Sequence, residues 1–183
     1  MDKRMKLENP ARVAELDPEG TLHKLGLEAG DIFCDIGAGS GLFTLPAARM
    51  TGAPVYALET DEAMLSLIRE RADAESLDIR TVRVTDAGFG IPEATADVVL
   101  LATVLHEIPN KHDFLTNVYK LRRESGRVAV IEFREGETSM GPNPSHRMSR
   151  ERILSAMRDV GMQLHMEYIL GPNFYCLVFQ KSA

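Results

Sequence analysis

"IFCDIGAGSGLFTL", residues 32–45, decides how the rest of the chain is read. Its first half is a short apolar run that follows the Gly30-Asp31 turn signal, and it reads as a buried strand. Gly37, Gly39 and Gly41 then stand at alternate positions, and a helical run follows to about Met50. A strand, a glycine turn and a helix in that order open an α/β fold. Glycines at such a turn let the backbone approach a nucleotide closely. Pro46 falls inside the expected helix, so a bend is expected there.

The pattern continues on both sides. "APVYALE" (53–59) reads as a second buried strand ending on Glu59, and Thr60 or Asp61 caps a helix with Met64, Leu65, Ile68 and Ala72 on one face. "IRTVRV" (79–84) alternates and is expected at a sheet edge, whereas "ADVVLLAT" (96–103) is apolar nearly throughout and reads as a central parallel strand. Asn110 caps a helix carrying Phe114, Leu115, Val118 and Leu121; Gly126 and the strand "RVAVIEF" (127–133) follow. Residues 134–148 are polar, with two prolines and two glycines, and read as a long loop. Ser149 caps a helix with Ile153, Met157 and Val160 inward, and two final strands (162–170, 173–179) flank the turn Gly171-Pro172-Asn173. Upstream, Asn9-Pro10 and Asp17-Pro18 start two short helices, the second stopped at Gly26. Strands alternating with helices predict a three-layer α/β/α domain with a mostly parallel, seven-stranded sheet. The tight last turn makes its final strand antiparallel. The pattern alone leaves the strand order open.

Composition narrows the partners. With 183 residues, 44% hydrophobic and 26% charged, the chain suits one domain, 1–183. Within it, residues 1–30 are expected to form an N-terminal helical cap and residues 134–148 a substrate-side loop. The net charge of −6 disfavours a phosphate backbone, so no nucleic acid is expected. Cys34 and Cys176 both lie in apolar runs and read as core residues; no cluster of metal-ligating spacing occurs, so no metal is assigned. No apolar run reaches membrane length and none near the start resembles a leader, so membrane insertion is not expected and the cytoplasm is. The oligomeric expectation is a monomer or homodimer.

The glycine turn identifies its ligand by its neighbours. Glu59, closing the next strand, is placed to accept hydrogen bonds from both hydroxyls of a ribose. A dinucleotide fingerprint would need glycine where Leu42 stands, and an apolar residue is usual where Asp35 stands. A pyrophosphate is ill served by that carboxylate. Asp35 instead suits a ligand bringing an ammonium group, as the methionine end of S-adenosylmethionine does.

On these residues the chain resembles class I S-adenosylmethionine-dependent methyltransferases. "DIGAGSG" matches that family's first motif and "VYALETDEAML" its second; "VTDAGFGIP" (84–92) resembles the third, "ADVVLLATVLHEIPN" (97–110, with Ala96) the fourth, and "GRVAVIEF" the fifth strand. The nearest likeness is to small UbiE-like domains. Arsenite methyltransferases are a poorer match, because their set of thiolates is missing. The resemblance implies a Rossmann-like methyltransferase fold with strand order 3-2-1-4-5-7-6. It implies S-adenosyl-L-methionine as cofactor, S-adenosyl-L-homocysteine as product, and a small-molecule methyl acceptor. The cofactor-binding residues it implies are Asp35, Gly37, Ala38, Gly39, Gly41, Glu59, Thr60, Met64, Asp86, Ala87 and Thr103. Asp86 would hold the adenine amino group and Met64 would pack on the ring.

For chemistry, His106 is the first candidate base, because its near-neutral pKa suits proton removal from a hydroxyl or amine; His146 is the second. Arg147 is a candidate clamp for a substrate carboxylate or phosphate. Glu132 and Arg134 end the fifth strand and are placed to line the pocket. The alternatives are a non-catalytic S-adenosylmethionine-binding protein and a nicotinamide-dependent oxidoreductase.

Overall fold

The computed structural model describes residues 3–86 and 88–182. Seven strands form one sheet: β1 (Phe33–Ile36), β2 (Val55–Glu59), β3 (Ile79–Arg83), β4 (Ala96–Ala102), β5 (Arg122–Phe133), β6 (Met162–Leu170) and β7 (Phe174–Lys181). Their order is β3-β2-β1-β4-β5-β7-β6. All neighbours pair in parallel except those of β7, which runs antiparallel to both β5 and β6. The expected order and the antiparallel last strand are both found.

Burial follows from this order. β1, β4 and β5 lie inside the sheet and are covered on both faces, so Cys34, Val99, Leu100 and Val130 are fully buried. The two edges differ. β3 is half-exposed along its length, as its alternation implies. β6 carries polar residues at every second position and a register shift between Leu164 and Met166. A shift of that kind blunts an edge against pairing with another sheet.

The helices are α1 (Lys3–Leu7), α2 (Pro10–Leu16), α3 (Pro18–Lys24), α4 (Thr44–Thr51), α5 (Glu62–Glu75), α6 (Lys111–Leu121) and α7 (Arg150–Asp159). The side chains of Asn9, Asp17, Asp61, Asn110 and Ser149 each accept a hydrogen bond from a first-turn N–H, satisfying donors that have no partner within the helix. One apolar cluster forms between the sheet and α6 and α7, around Leu115, Ile153 and Met157; another lies on the opposite side, around Leu16, Leu22, Phe43 and Phe174. These are the two interfaces of the three-layer architecture.

Two local expectations need correction. The helix after the glycine turn starts only at Thr44, because Phe43 is its N-cap. Pro46 therefore sits in the first turn of that helix, between the Leu45 N–H that donates to Gly41 and the Ala47 N–H that donates to Phe43. Helix α1 also forms ahead of the two expected N-terminal helices.

Because β4 is central and fully covered, Leu100→Ala is expected to lower stability by about 2–5 kcal/mol. Ile169, 64% exposed on the edge strand, should tolerate alanine within about 0.5 kcal/mol. Urea denaturation of the two variants checks the contrast.

Candidate active site

The carboxyl ends of β1, β2, β4 and β5 open onto one cleft of about 730 Å³. The glycine turn forms its floor. The backbone N–H groups of Gly37 and Ala38 both donate to the Leu58 carbonyl, at 2.7 and 3.0 Å, which ties the turn to the end of β2. Gly37 has φ +74°, and a Cβ there would lie 2.4 Å from a Val104 methyl. Val104 follows β4, so only glycine lets the two loops meet at this point.

That tie brings Glu59 under the turn. Its side chain is buried, and Oε2 accepts from the Gly39 N–H at 2.9 Å. Oε1 accepts from the N–H groups of Thr60 and Asp61, at 2.9 and 3.1 Å, and from the Thr60 hydroxyl at 3.1 Å. The Lys3 ammonium, reaching in from α1, lies 3.4 Å from Oε1. Burial alone would push this carboxyl up, but the Asp61 N–H, the Lys3 charge and the other backbone donors outweigh it and hold Glu59 below the usual carboxylate range. Oε2 has one protein donor and keeps acceptor capacity for a ligand hydroxyl.

At the other end stands a histidine–carboxylate pair. His106 lies in a short 3-10 turn (105–107) after β4, and Glu132 lies on β5 with its side chain fully enclosed. His106 Nδ1 is 2.8 Å from Glu132 Oε2 and 3.1 Å from Oε1, and the His106 backbone N–H donates to Oε1 at 3.1 Å. A carboxylate only accepts, so Nδ1 carries the proton and Nε2 is the nitrogen left to act on a ligand. The hydrogen bond that Nδ1–H donates to Glu132 raises the His106 pKa above its ordinary value, against the opposing effect of burial. Phe133 packs edge-on against the imidazole, with ring centroids 5.8 Å apart.

Thr60, Thr103, Gly37, Gly39, Glu59 and His106 therefore share one cleft. Thr103 adopts φ +58°, a left-handed conformation rare for a branched residue. Ala38 and Gly41 belong to the turn without lining the cleft. Ala87 lies outside the described residues.

Several expected residues are placed elsewhere. Asp35 is enclosed beneath the turn, with its Oδ2 accepting from the Thr44 hydroxyl at 2.6 Å, so it does not face the cleft. Met64 is buried at the start of α5, away from the cleft wall, and Asp86 is exposed on the turn after β3. Val84 and Phe89 line that part of the wall instead. His146 is exposed and does not reach the cleft. Arg147 is buried, and donates to the carbonyls of Pro142, Arg134 and Gly136 at 2.9, 2.9 and 2.7 Å. It braces the 134–148 loop from inside and is not a free clamp.

What that loop does offer the cleft is Met140, Gly141 and Pro142. Gly141, at φ +103°, sits so close to Phe133 that a Cβ would lie 2.5 Å from the ring. Glu132 is not a cleft-lining group but the buried partner of His106. Arg12 was not legible as a site residue: it sits one turn before Leu16 on the buried face of α2, a spacing that signals burial but not a cleft. Among the described residues no cluster of metal ligands occurs, and no helix is long and apolar enough to cross a membrane. Both cysteines are free and buried, and burial pushes the Cys176 thiol up to about 12, so neither is a nucleophile at neutral pH.

Residues 34–130, from β1 into β5, match the family model described as "Methyltransferase domain". The chain belongs to that family. It is similar to the demethylmenaquinone methyltransferase of Tropheryma whipplei (strain Twist), at 30% identity over 118 residues, covering 64% of this chain and 48% of that protein. It is also similar to the ubiquinone/menaquinone biosynthesis C-methyltransferase UbiE of Marinomonas sp. (strain MWYL1), at 24% identity over 124 residues, covering 66% and 49%. The chain spans about half the length of the curated relatives it matches. Among solved structures, a SAM dependent methyltransferase from Aquifex aeolicus superposes with a TM-score of 0.89 at 23% identity, covering 98% of each chain. That likeness shows the methyltransferase fold.

Three variants test the placements. Arg147→Ala removes three charged donors from backbone carbonyls and should cost about 2–4 kcal/mol, seen as a lower Tm, whereas His146→Ala should leave Tm unchanged. Asp35 is the converse case. Burial raises its carboxyl to about 7, with the Thr44 hydroxyl opposing, so ionising it strains the fold as pH rises from the unfolded value near 4 through 7. Asp35→Asn should therefore stabilise the protein by roughly 2–4 kcal/mol at pH 8 and by little at pH 4, measured by urea melts at both.

Proposed function

We propose that this chain is an S-adenosylmethionine-dependent methyltransferase acting on a small-molecule acceptor, with His106 as general base. One observation carries the reading: a single cleft holds the Gly39–Glu59 carboxylate site at one end and the Glu132–His106 pair at the other. On this reading Glu59 Oε2 takes a ribose hydroxyl, and Gly37, Gly39 and Thr60 line the cofactor's path. Asp35, Ala38, Gly41 and Met64 shape the turn and helix behind it. Asp86 and Ala87 are assigned to the adenine end, and Thr103 to the methionine end. Residues 1–30 act as the cap and 134–148 as the acceptor-side wall of one domain. We further propose that the protein works in the cytoplasm, as a monomer or homodimer, without a nucleic-acid partner.

When bound, S-adenosylmethionine would supply a methyl group already activated by its sulfonium, leaving S-adenosylhomocysteine. The chain's part is alignment and proton removal. Ordering two reactants in one cleft contributes roughly 7–11 kcal/mol when the geometry is right. As the acceptor atom bonds to the methyl carbon, its proton passes to His106 Nε2, and buried Glu132 stabilises the imidazolium that forms. Glu132 also fixes the tautomer, since it holds the proton on Nδ1.

Calorimetry should show S-adenosylmethionine and S-adenosylhomocysteine binding while NADH does not, and NADH binding alone would overturn the reading. Glu59→Ala should weaken cofactor binding by about 1–3 kcal/mol. Across a panel of small acceptors, His106→Ala should slow transfer by roughly 10²–10⁴-fold. The base must be neutral, so the rate should rise with pH through the raised His106 pKa, above about 6.5. Glu132→Gln should move that limb to lower pH. The same pairing stabilises the folded state below the unfolded imidazole value, and that contribution is lost as pH climbs through the folded one.

A further inference from the structure

Helix α1 lies along the cleft as a strap with no buried residue of its own. It is tied down on the glycine turn and its neighbours. Leu7 packs on Gly39, where a Cβ would lie 2.8 Å from the Leu7 Cδ1. The Leu7 carbonyl accepts from Arg12 Nη1 at 3.2 Å, and Nη2 of the same guanidinium donates to the Thr103 hydroxyl at 3.1 Å. Just past the helix, Glu8 pairs with Arg71 at 2.7 Å, and Arg71 donates to the Ser40 carbonyl at 2.9 Å. At the start of the strap the Lys3 ammonium enters the cleft, 3.4 Å from Glu59 Oε1 and 3.3 Å from Asp61 Oδ2.

That ammonium oversubscribes Glu59. An ionised carboxylate offers about four lone-pair sites. Glu59 receives the N–H groups of Gly39, Thr60 and Asp61, the Thr60 hydroxyl and the Lys3 ammonium, five donors in all. A ribose hydroxyl that donates to this carboxylate therefore has to dislodge one of them. The three backbone donors are fixed by the turn and by the chain entering α5, and the Thr60 hydroxyl is on the adjoining residue. The Lys3 contact is the longest of the five, its side chain is 47% exposed, and Asp61 stands beside it as a second partner. Lys3 is thus the donor that leaves at least cost, since exposed ion pairs contribute little. We propose that Lys3 is a placeholder cation that the ribose hydroxyls displace from Glu59 to Asp61, which makes α1 an ionic latch on the cofactor end of the cleft. The latch opposes binding of any ligand that uses Glu59 through hydroxyls, and it loosens the product as much as the cofactor. This rests on the reading of Glu59 as ribose acceptor given above.

Calorimetry on the wild type, Lys3→Met and Lys3→Arg compares S-adenosylhomocysteine with its 2′,3′-dideoxy analogue, which has no ribose hydroxyl. Lys3→Met should bind S-adenosylhomocysteine roughly two- to fivefold more tightly than the wild type, the scale of one half-exposed ion pair. It should gain nothing on the dideoxy analogue, and Lys3→Arg should behave as the wild type on both. Added salt should narrow the gap between the wild type and Lys3→Met, because screening weakens the latch. Unchanged or weaker S-adenosylhomocysteine binding by Lys3→Met overturns the proposal, and weaker binding would make Lys3 a holder of the cofactor. Equal tightening on the dideoxy analogue also overturns it, since the effect would then be the net charge of the cleft. So does a gap that salt leaves unchanged. Failure of the wild type to bind S-adenosylhomocysteine at all is a different result, because it overturns the methyl-transfer reading itself.

Discussion

Two backbone hydrogen bonds into one carbonyl organise this molecule. Gly37 and Ala38 both donate to Leu58, so the turn after β1 is locked to the end of β2. With the turn held there, the Gly39 N–H meets Glu59, and Val104 packs into the space that Gly37 leaves open. Three strand ends are brought to one rim by a constraint that costs no side chain. A branched residue at 37 would push the β4 loop away, and the cleft's two ends would lose their common floor.

The sheet was legible because strand burial leaves a strong mark on sequence. The uninterrupted apolar run of β4 and the alternation of β3 are direct readings of a covered centre and an open edge. The strand order came from resemblance, since periodicity carries no information about which strands pair. The capping residues were equally plain, because Asn, Asp and Ser before a helical run do the same job in any fold. Helix α1 was missed: five residues give too short a pattern to read.

The site was less legible than the fold, and the errors share a cause. Sequence shows which residues are chemically able, but not which donors the backbone has already claimed. Arg147 and Arg12 are both buried arginines. One saturates carbonyls of its own loop, and the other faces the cleft with donors to spare. Asp35 and Glu59 are both strand-end acids. One is sealed under the turn with a threonine, and the other sits on the cleft rim. His106 was readable as a candidate because it follows a central strand. Its dependence on Glu132, a residue distant in sequence, emerges only when β4 and β5 lie side by side.

The antiparallel β7 has a bearing on how the chain reaches this state. It occupies the slot between β5 and β6, although it is the last strand to be synthesised. Until it arrives, β5 offers an apolar, unpaired edge, and β6 has no neighbour at all. The glycine turn and the first five strands can assemble early in synthesis, but the half of the sheet that supports Phe133, Phe174 and Glu132 must wait for β7. The early half carries Glu59, and the late half carries Phe133 and Glu132. A nascent chain would thus complete the Glu59 end of the cleft before the end where His106 meets Glu132.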